Sequence, residues 1–514
     1  MLFAATTLVV LLGLGLRARG YLFDRHGFWL DEALWAKMLM HDPLVTLLLR
    51  PIGFMGLNKA LALVLGPSET VLRALSWCAG IGSVLLAPAL ARLLFRAPIA
   101  RFLFVAVIAL HPGAIDLAKE YKPYSGSLFA HIALLFFVLR YLETQRGRDL
   151  GWALGFAFVA SLFAQDMVMT YPGVFLVLGW DTLRRSRARL PWVVAGAVAI
   201  MVLLFAQYWF IWRHLASDEA DYWGNKYNIF YTPETGKSRL AWWLECYRDV
   251  AGFPGMRRRF WRADWLSAGR IDSLEAVDLW VWVVLHVIGV VSLFAQRRFR
   301  LVVLLVLPFV VVTAVNAIGR WPFGLFRTNL FLVAYTAAIA AMAVDLPGAV
   351  ASRWFAVVPG VVLVIAPFLV LDGDWNARKR ALAHDSDFAK VVKALVELEA
   401  APRRDEKRTQ LVLARRVCPL YDYYVNVQPN ISRKYRKSLE HSYDVHCFRT
   451  NEALEQHLAK LVPARGYALM VTDSGGSDRT DLRKVLADEF AFRRRYDDPK
   501  NKIEQVTRRS RKSR

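Results

Sequence analysis

Long apolar runs recur along this chain, and basic loops separate them. No other feature constrains the fold as tightly. Hydrocarbon offers no hydrogen-bond partners, so an apolar run of about 20 residues is stable there as a helix that satisfies its own backbone. Such runs lie near 2–19, 71–94, 99–117, 124–142, 150–165, 167–183, 191–213, 276–296, 301–318, 328–345 and 354–371, about eleven in all. The first has neither a basic start nor a small-residue cleavage site, so it reads as a retained membrane helix rather than a signal peptide.

Composition agrees with a membrane protein. Apolar residues make up 56% of the 514 and charged residues 21%, yet the formal net charge is +23. A soluble globular enzyme needs more surface charge, and a disordered chain or coiled coil needs less apolar residue. The positive charge sits between the apolar runs, which favours a membrane over nucleic acid as its explanation. No nucleic-acid partner is expected.

Loop charge gives orientation. Arg92, Arg96 and Arg101, then Arg146 and Arg148, then Arg184, Arg185, Arg187 and Arg189, then Arg297, Arg298 and Arg300, and finally Arg353 all fall on one side of an eleven-span chain. The positive-inside rule makes that side cytoplasmic and sends the C-terminus outside. The expected division is a transmembrane domain over 1–371, with long external loops at 20–70 and 214–275, and a C-terminal domain over 372–514. The latter reads as small and α/β, with a helix in DFAKVVKALVELEA and strands in TQLVLARRV and GYALMVTDS. The final TRRSRKSR reads as disordered, touching anionic lipid at most. Cys418 and Cys447 in this external domain are a candidate disulfide, with two buried thiols the equal alternative. No CxxC or His/Cys cluster suggests a structural zinc site, and Cys78 and Cys246 suggest no chemistry.

Four external clusters carry the chemistry. Asp31 and Glu32 follow the first span; an ionised Asp there is suited to take a proton from an attacking hydroxyl, while the plain alternative is a helix N-terminus stabilised by its dipole. Lys59 precedes the second span, suited to a lipid phosphate or to snorkelling. Asp116, Lys119, Glu120, Tyr121, Lys122 and Tyr124 crowd one short turn, offering cations and phenols to a phosphate, or a charged turn with belt tyrosines. Arg320 and Arg327 bracket a Trp-Pro-Phe-Gly turn on the external side, against the positive-inside trend, which favours anion binding.

The order of these motifs resembles the bacterial polyprenyl-phosphate-sugar-dependent glycosyltransferases of the GT-C superfamily, relatives of protein O-mannosyltransferases and aminoarabinose transferases. FWLDEA is similar to the family's first-loop motif, LNKALALVLGPSETVLRAL to the stretch after it, LAKEYKPYS to its Lys/Arg-x-Tyr turn, and LVLARRVCPLYDYYV to a strand and Tyr pair of the external domain. The late turn departs: the usual Tyr-Pro-Phe-Gly-Gly-Arg is Trp-Pro-Phe-Gly-Leu-Phe-Arg here, so Arg320 competes with Arg327 for the family arginine.

The resemblance implies a polytopic α-helical membrane protein of GT-C type, with about eleven transmembrane helices and a small extracytoplasmic α/β domain, in the bacterial inner membrane. It implies an inverting enzyme that moves a sugar from a polyprenyl phosphate to an extracytoplasmic glycan, lipid or protein acceptor. Asp31 would be the general base and Glu32 its helper. Lys59, Lys122, Tyr124, Arg320 and Arg327 would hold the donor phosphate. Asp116, Lys119, Glu120, Tyr222 and Trp223, beside Asp221 and Tyr227, would line the substrate path. No cofactor is required, though two adjacent carboxylates leave a divalent cation open. Two other classes stay open. A flippase for a lipid-linked saccharide would want polar residues within the bundle, of which His131, His286 and Asp166 are the candidates. A membrane scaffold would tolerate loss of Asp31.

Overall fold

The computed structural model describes residues 2–22, 28, 30–41, 50–210, 238–251, 268–323, 326–345, 388–399, 409–413, 417–448, 457–458, 460–462, 467–473, 490–497 and 501–508. By its internal contacts the chain forms two compact units: Met1–Asp24, Leu47–Leu57 and Arg73–Ala377, and then Arg25–Thr46, Asn58–Leu72 and Arg378–Arg514. The boundary expected at 371 and the last expected span, 354–371, lie outside the described residues.

The helices, in chain order, are α1 (Leu2–Leu22), α2 (Leu30–His41), α3 (Ile52–Leu65), α4 (Glu69–Leu94), α5 (Pro98–Leu110), α6 (Pro112–Leu117), α7 (Tyr124–Thr144), α8 (Gly147–Phe163), α9 (Tyr171–Arg185), α10 (Leu190–Phe210), α11 (Arg239–Ala251), α12 (Ala268–Ala295), α13 (Phe299–Ala317), α14 (Leu332–Met342), α15 (Phe388–Glu399), α16 (Cys418–Asp422) and α17 (Pro429–Ser442). Helix therefore lies within every expected span up to residue 345. Among the described residues, five helices are long and apolar enough to cross a membrane. The expected count of about eleven is thus larger than length and composition of the helices support.

The first unit is the helical bundle. Leu8, Val198, Phe205, Val287 and Val310 stand exposed on its helices. Such a surface is a liability in water and the natural outer face in lipid. Where helices touch, small residues bring their backbones close. A Cβ on Gly289 would lie 1.9 Å from the Ile339 carbonyl oxygen, and one on Gly13 would lie 2.7 Å from that of Ala109.

The expected span 99–117 is not one helix. The residue before a proline avoids the α conformation, and α5 stops at Leu110. His111 adopts φ −59°, ψ 117°, and its Nδ1 accepts the Ala114 N–H at 3.3 Å, capping α6. The carbonyls freed at the end of α5 are met from another helix. Arg17, fully buried, donates to Ala109 O at 2.7 Å, Ile108 O at 3.1 Å and its own Gly13 O at 3.0 Å. Likewise, a 3-10 turn at Gln165–Met169 separates α8 from α9.

The basic loops meet one another through buried acids. Asp345 accepts the backbone N–H groups of Arg96 and Ala97 at 2.9 and 2.6 Å and pairs with Arg298 at 3.4 Å. Asp181 pairs with Arg300 at 2.8 Å and with Arg185 at 3.4 Å, and accepts from Gln145 at 2.9 Å. Arg189 donates to Gln145 O at 2.6 Å. Loops that loop charge assigned to a single side are thus in contact.

The second unit is built on a five-stranded mixed sheet. Its strands are β1 (Thr409–Leu413), β2 (Tyr443–Cys447), β3 (Ala468–Asp473), β4 (Phe490–Asp497) and β5 (Asn501–Arg508), in the order β2-β1-β3-β5-β4. β1 runs parallel to β2 and β3; β5 runs antiparallel to β3 and β4. Val412, Ala468, Met470, Phe490 and Val506 are buried together with Leu458 and Val462. The expected helix and strands stand at α15, β1 and β3. β2, β4 and β5 were not foreseen. β5 also takes in Thr507 and Arg508, the first residues of the tail read as disordered; the remainder lies outside the described residues.

Candidate active site

In the second unit, Asp31 and Glu32 occupy the first turn of α2, where the helix dipole favours negative charge. Glu32 is fully buried and Asp31 half-buried. Lys59 does not stand beside them. Its ammonium donates to Leu39 O, and to Met40 O at 3.3 Å, so it caps the opposite end of α2. That end is about 12 Å along the helix axis from Asp31 at 1.5 Å per residue. Lys59 thus has a structural partner that neither phosphate binding nor snorkelling foresaw.

The backbone leading into α2 is held by a short segment of the same unit. Tyr423–Val427 forms a π-helical turn, closed by Gln428 N–H donating to Tyr423 O at 2.8 Å. The Tyr424 hydroxyl accepts the Phe28 N–H at 2.9 Å and donates to the Glu69 carboxylate at 2.6 Å. The Tyr423 hydroxyl donates to Pro67 O at 3.2 Å, and its ring lies 4.7 Å from that of Phe28. Asp422 pairs with Lys37 of α2. Burial, together with the Glu69 charge, pushes the Tyr424 phenol well above its ordinary range.

Cys418 and Cys447 are neighbours but not bonded. Cys447 is the register partner of Leu413, and Cys418 Sγ lies 3.5 Å from Leu413 O. A hydrogen bond between the two thiols pushes Cys418 up and holds Cys447 below the ordinary thiol range.

In the first unit, the turn after α6 is tightly held. Tyr121 is fully buried, stacked 5.8 Å from Phe54, with its hydroxyl 3.9 Å from Met55 Sδ. Lys122 is 3% exposed, and its carbonyl accepts the Ser76 hydroxyl at 2.7 Å. Asp116 and Lys119 pair at 3.7 Å, and Glu120 O accepts the Lys122 N–H at 2.8 Å. Tyr124, half-buried, opens α7. The late turn is equally braced. Gly319 takes φ +68°, Trp321 Nε1 donates to Asn329 Oδ1 at 2.9 Å, and Asn329 Nδ2 donates to Pro322 O at 2.8 Å. Arg320 is exposed; Arg327 is half-buried in the 3-10 turn Phe326–Asn329.

One polar network ties the helices that carry these two turns. His131 of α7 approaches Asp166 Oδ1 through Nε2 at 3.3 Å, and Ser127 donates to the same carboxylate. Its Nδ1 faces Tyr335 Oη at 2.8 Å and Thr170 Oγ1 at 2.9 Å, and its ring stacks on Phe331 at 4.5 Å. The Lys122–Tyr124 and Arg327 turns, at the starts of α7 and α14, therefore belong to the same end of the bundle. His131 and Asp166 satisfy one another; His286 Nδ1 donates to Trp282 O of its own helix at 2.6 Å. Sequence reasoning missed Ser127, Thr170 and Tyr335, which read as ordinary span residues.

Tyr222 and Trp223, with Asp221 and Tyr227, lie outside the described residues. Among the described residues, no group of three or more His, Cys, Asp or Glu is placed to hold a metal. An apolar groove of about 420 Å³ opens between Trp243 of α11 and the Phe309–Ala317 stretch of α13.

No protein-family model matches the chain, and no curated protein matches it in sequence. Its fold is shared with solved structures. Against ArnT from Cupriavidus metallidurans in the apo state the TM-score is 0.50, at 12% identity, covering 97% of this chain and 97% of that one. Against the same protein bound to undecaprenyl phosphate it is 0.51, at 12% identity, covering 98% and 97%. The chain thus shares its fold with that ArnT over nearly its full length, a helical bundle with a small C-terminal sheet domain.

Proposed function

We propose that this chain is an inverting membrane glycosyltransferase that takes a sugar from a polyprenyl phosphate. Its acceptor is a hydroxyl of an envelope glycan, lipid or protein. The observation that carries the reading is the end-to-end fold likeness to a protein crystallised with undecaprenyl phosphate. The acidic N-terminus of α2 and the cationic turns of the bundle supply the matching chemistry.

In the reaction, the acceptor oxygen attacks the anomeric carbon as the bond to the phosphate oxygen breaks. Asp31 takes the hydroxyl proton, and Glu32 holds Asp31 or the acceptor. Lys122, with Arg327 or Arg320, stabilises the charge that develops on the leaving phosphate, and Tyr124 donates to it. Lys59 supports the helix that carries the base. Asp116, Lys119, Glu120, Tyr222 and Trp223 line the path of the substrates. The apolar groove beside Phe309 suits the polyprenyl tail. The basic loops face the cytoplasm and the chemistry takes place on the periplasmic side of the bacterial inner membrane. No metal is required by this scheme, and a divalent ion at Asp31 and Glu32 would act only on the base.

The test is Asp31→Asn in a purified transfer assay with labelled polyprenyl-phosphate sugars and an envelope extract. A folded mutant is expected to lose at least about a hundredfold in rate. Wild-type transfer by this mutant would rule out Asp31 as the base and turn attention to Glu32 or Asp116.

A further inference from the structure

Within the second unit, the tyrosine segment holds the backbone ahead of α2, α2 itself and the Pro67–Glu69 stretch. We propose that Tyr424 is a positioning residue for Asp31, so that the C-terminal domain sets the placement of the catalytic base. This rests on the proposal that Asp31 is that base.

Three consecutive residues reach three points of the same unit. Asp422 holds the middle of α2 through Lys37. Tyr423 holds Phe28 by its ring and Pro67 by its hydroxyl. Tyr424 joins the Phe28 N–H to Glu69. A phenol has one proton to give and accepts in return, and Tyr424, 1% exposed, uses both capacities. The bond to a carboxylate is charge-assisted and the stronger for being buried. The π-helical geometry matters as well. Such turns are rare and cluster at functional sites, and this one, with Asp422 as its N-cap, sets two successive tyrosines against Phe28, Pro67 and Glu69.

The consequence for chemistry is geometric. Phe28 lies two residues before Leu30, the first residue of α2, and three before Asp31, so a fixed Phe28 amide constrains where the helix begins and where the Asp31 carboxylate lies. A general base acts only within about 2.6–3.2 Å of its proton. A misplacement of about 1 Å costs on the order of a hundredfold. Tyr424 touches no reacting atom; it acts through α2.

Full-length Tyr424→Phe, which keeps the ring and loses the hydroxyl, is measured beside wild type and Asp31→Asn. Two readouts are taken: kcat and KM for the donor lipid, and amide hydrogen exchange of the 26–33 peptide. The expected result is a tenfold or greater loss in kcat with donor KM within about twofold. Faster exchange confined to the 26–33 peptide is expected alongside it. Glu69→Ala, which removes the acceptor of the phenol, is expected to act in the same direction and serves if the first variant does not fold. Wild-type kcat and exchange in the folded variants would overturn the proposal, and so would a kcat loss accompanied by faster exchange across the whole sheet. If Asp31→Asn transfers sugar at the wild-type rate, the base assignment fails, while the exchange measurement still judges whether Tyr424 holds Phe28.

Discussion

A buried guanidinium is costly inside a bilayer. Arg17 offsets that cost with three backbone carbonyls, two of them in the last turn of α5. Arg17→Met removes the donors and leaves those acceptors buried, at about 1–3 kcal/mol for each unsatisfied group. The detergent-solubilised variant is expected to melt several degrees below wild type; an unchanged midpoint would deny the cap. Tyr424 makes a titration of the same kind legible. Its folded pKa lies above the ordinary value of 10.0, so its contribution is complete below about pH 10 and is lost as pH rises beyond it. Wild type is expected to lose stability more steeply above pH 10 than Tyr424→Phe, as read by thermal melts across pH. Neither role was legible in the sequence. Arg17 lies inside the first expected span, 2–19, and drew no separate reading there, and a phenol's partners are tertiary facts. Lys59 shows the same limit: its charge was noticed, but its partners are carbonyls at the far end of α2.

At the scale of elements, apolar helices were legible because hydrocarbon imposes a length and an apolarity on each span, but their number was not: five among the described residues are long and apolar enough to cross, against about eleven expected. The breaks within them were read less well. His111-Pro112 stood in plain view, yet the apolar run continued through it and masked the cap. In the sheet domain, the apolar strands β1 and β3 were legible. The arginine-rich β4 and the alternating β5 were not, because period-two alternation among dense charges looks like a polar tail. β2 was hidden by its Asp and His. The cysteine pair lies between these elements, at the end of β1. With the sheet domain on the periplasmic side, as proposed above, Cys418 and Cys447 are expected to give up two protons and two electrons to a thiol–disulfide oxidant and form a disulfide. Peptide mapping without reduction is expected to return the linked pair; two separately alkylated thiols would contradict it.

For the whole molecule, the charge pattern and the order of short motifs led to the expectation of a polytopic helical fold with a small C-terminal domain, and a solved structure, ArnT from Cupriavidus metallidurans, shares its fold with this chain over nearly the full length. The division into units did not follow from sequence. Segments between α1 and α4, Arg25–Thr46 and Asn58–Leu72, belong with the C-terminal domain rather than with the bundle, because buried tyrosines, not chain proximity, decide their partners. The acidic pair of α2 was legible as a pair, whereas its support was not. The central claim is chemical: a sugar leaves a polyprenyl phosphate and joins a hydroxyl. The most direct measurement is a reconstitution in vesicles with a doubly labelled donor, following sugar and lipid separately. The expected result is sugar on the acceptor and one polyprenyl phosphate released for each sugar transferred. Intact lipid-linked sugar crossing the bilayer, with no free polyprenyl phosphate formed, would contradict the account and establish a transporter instead.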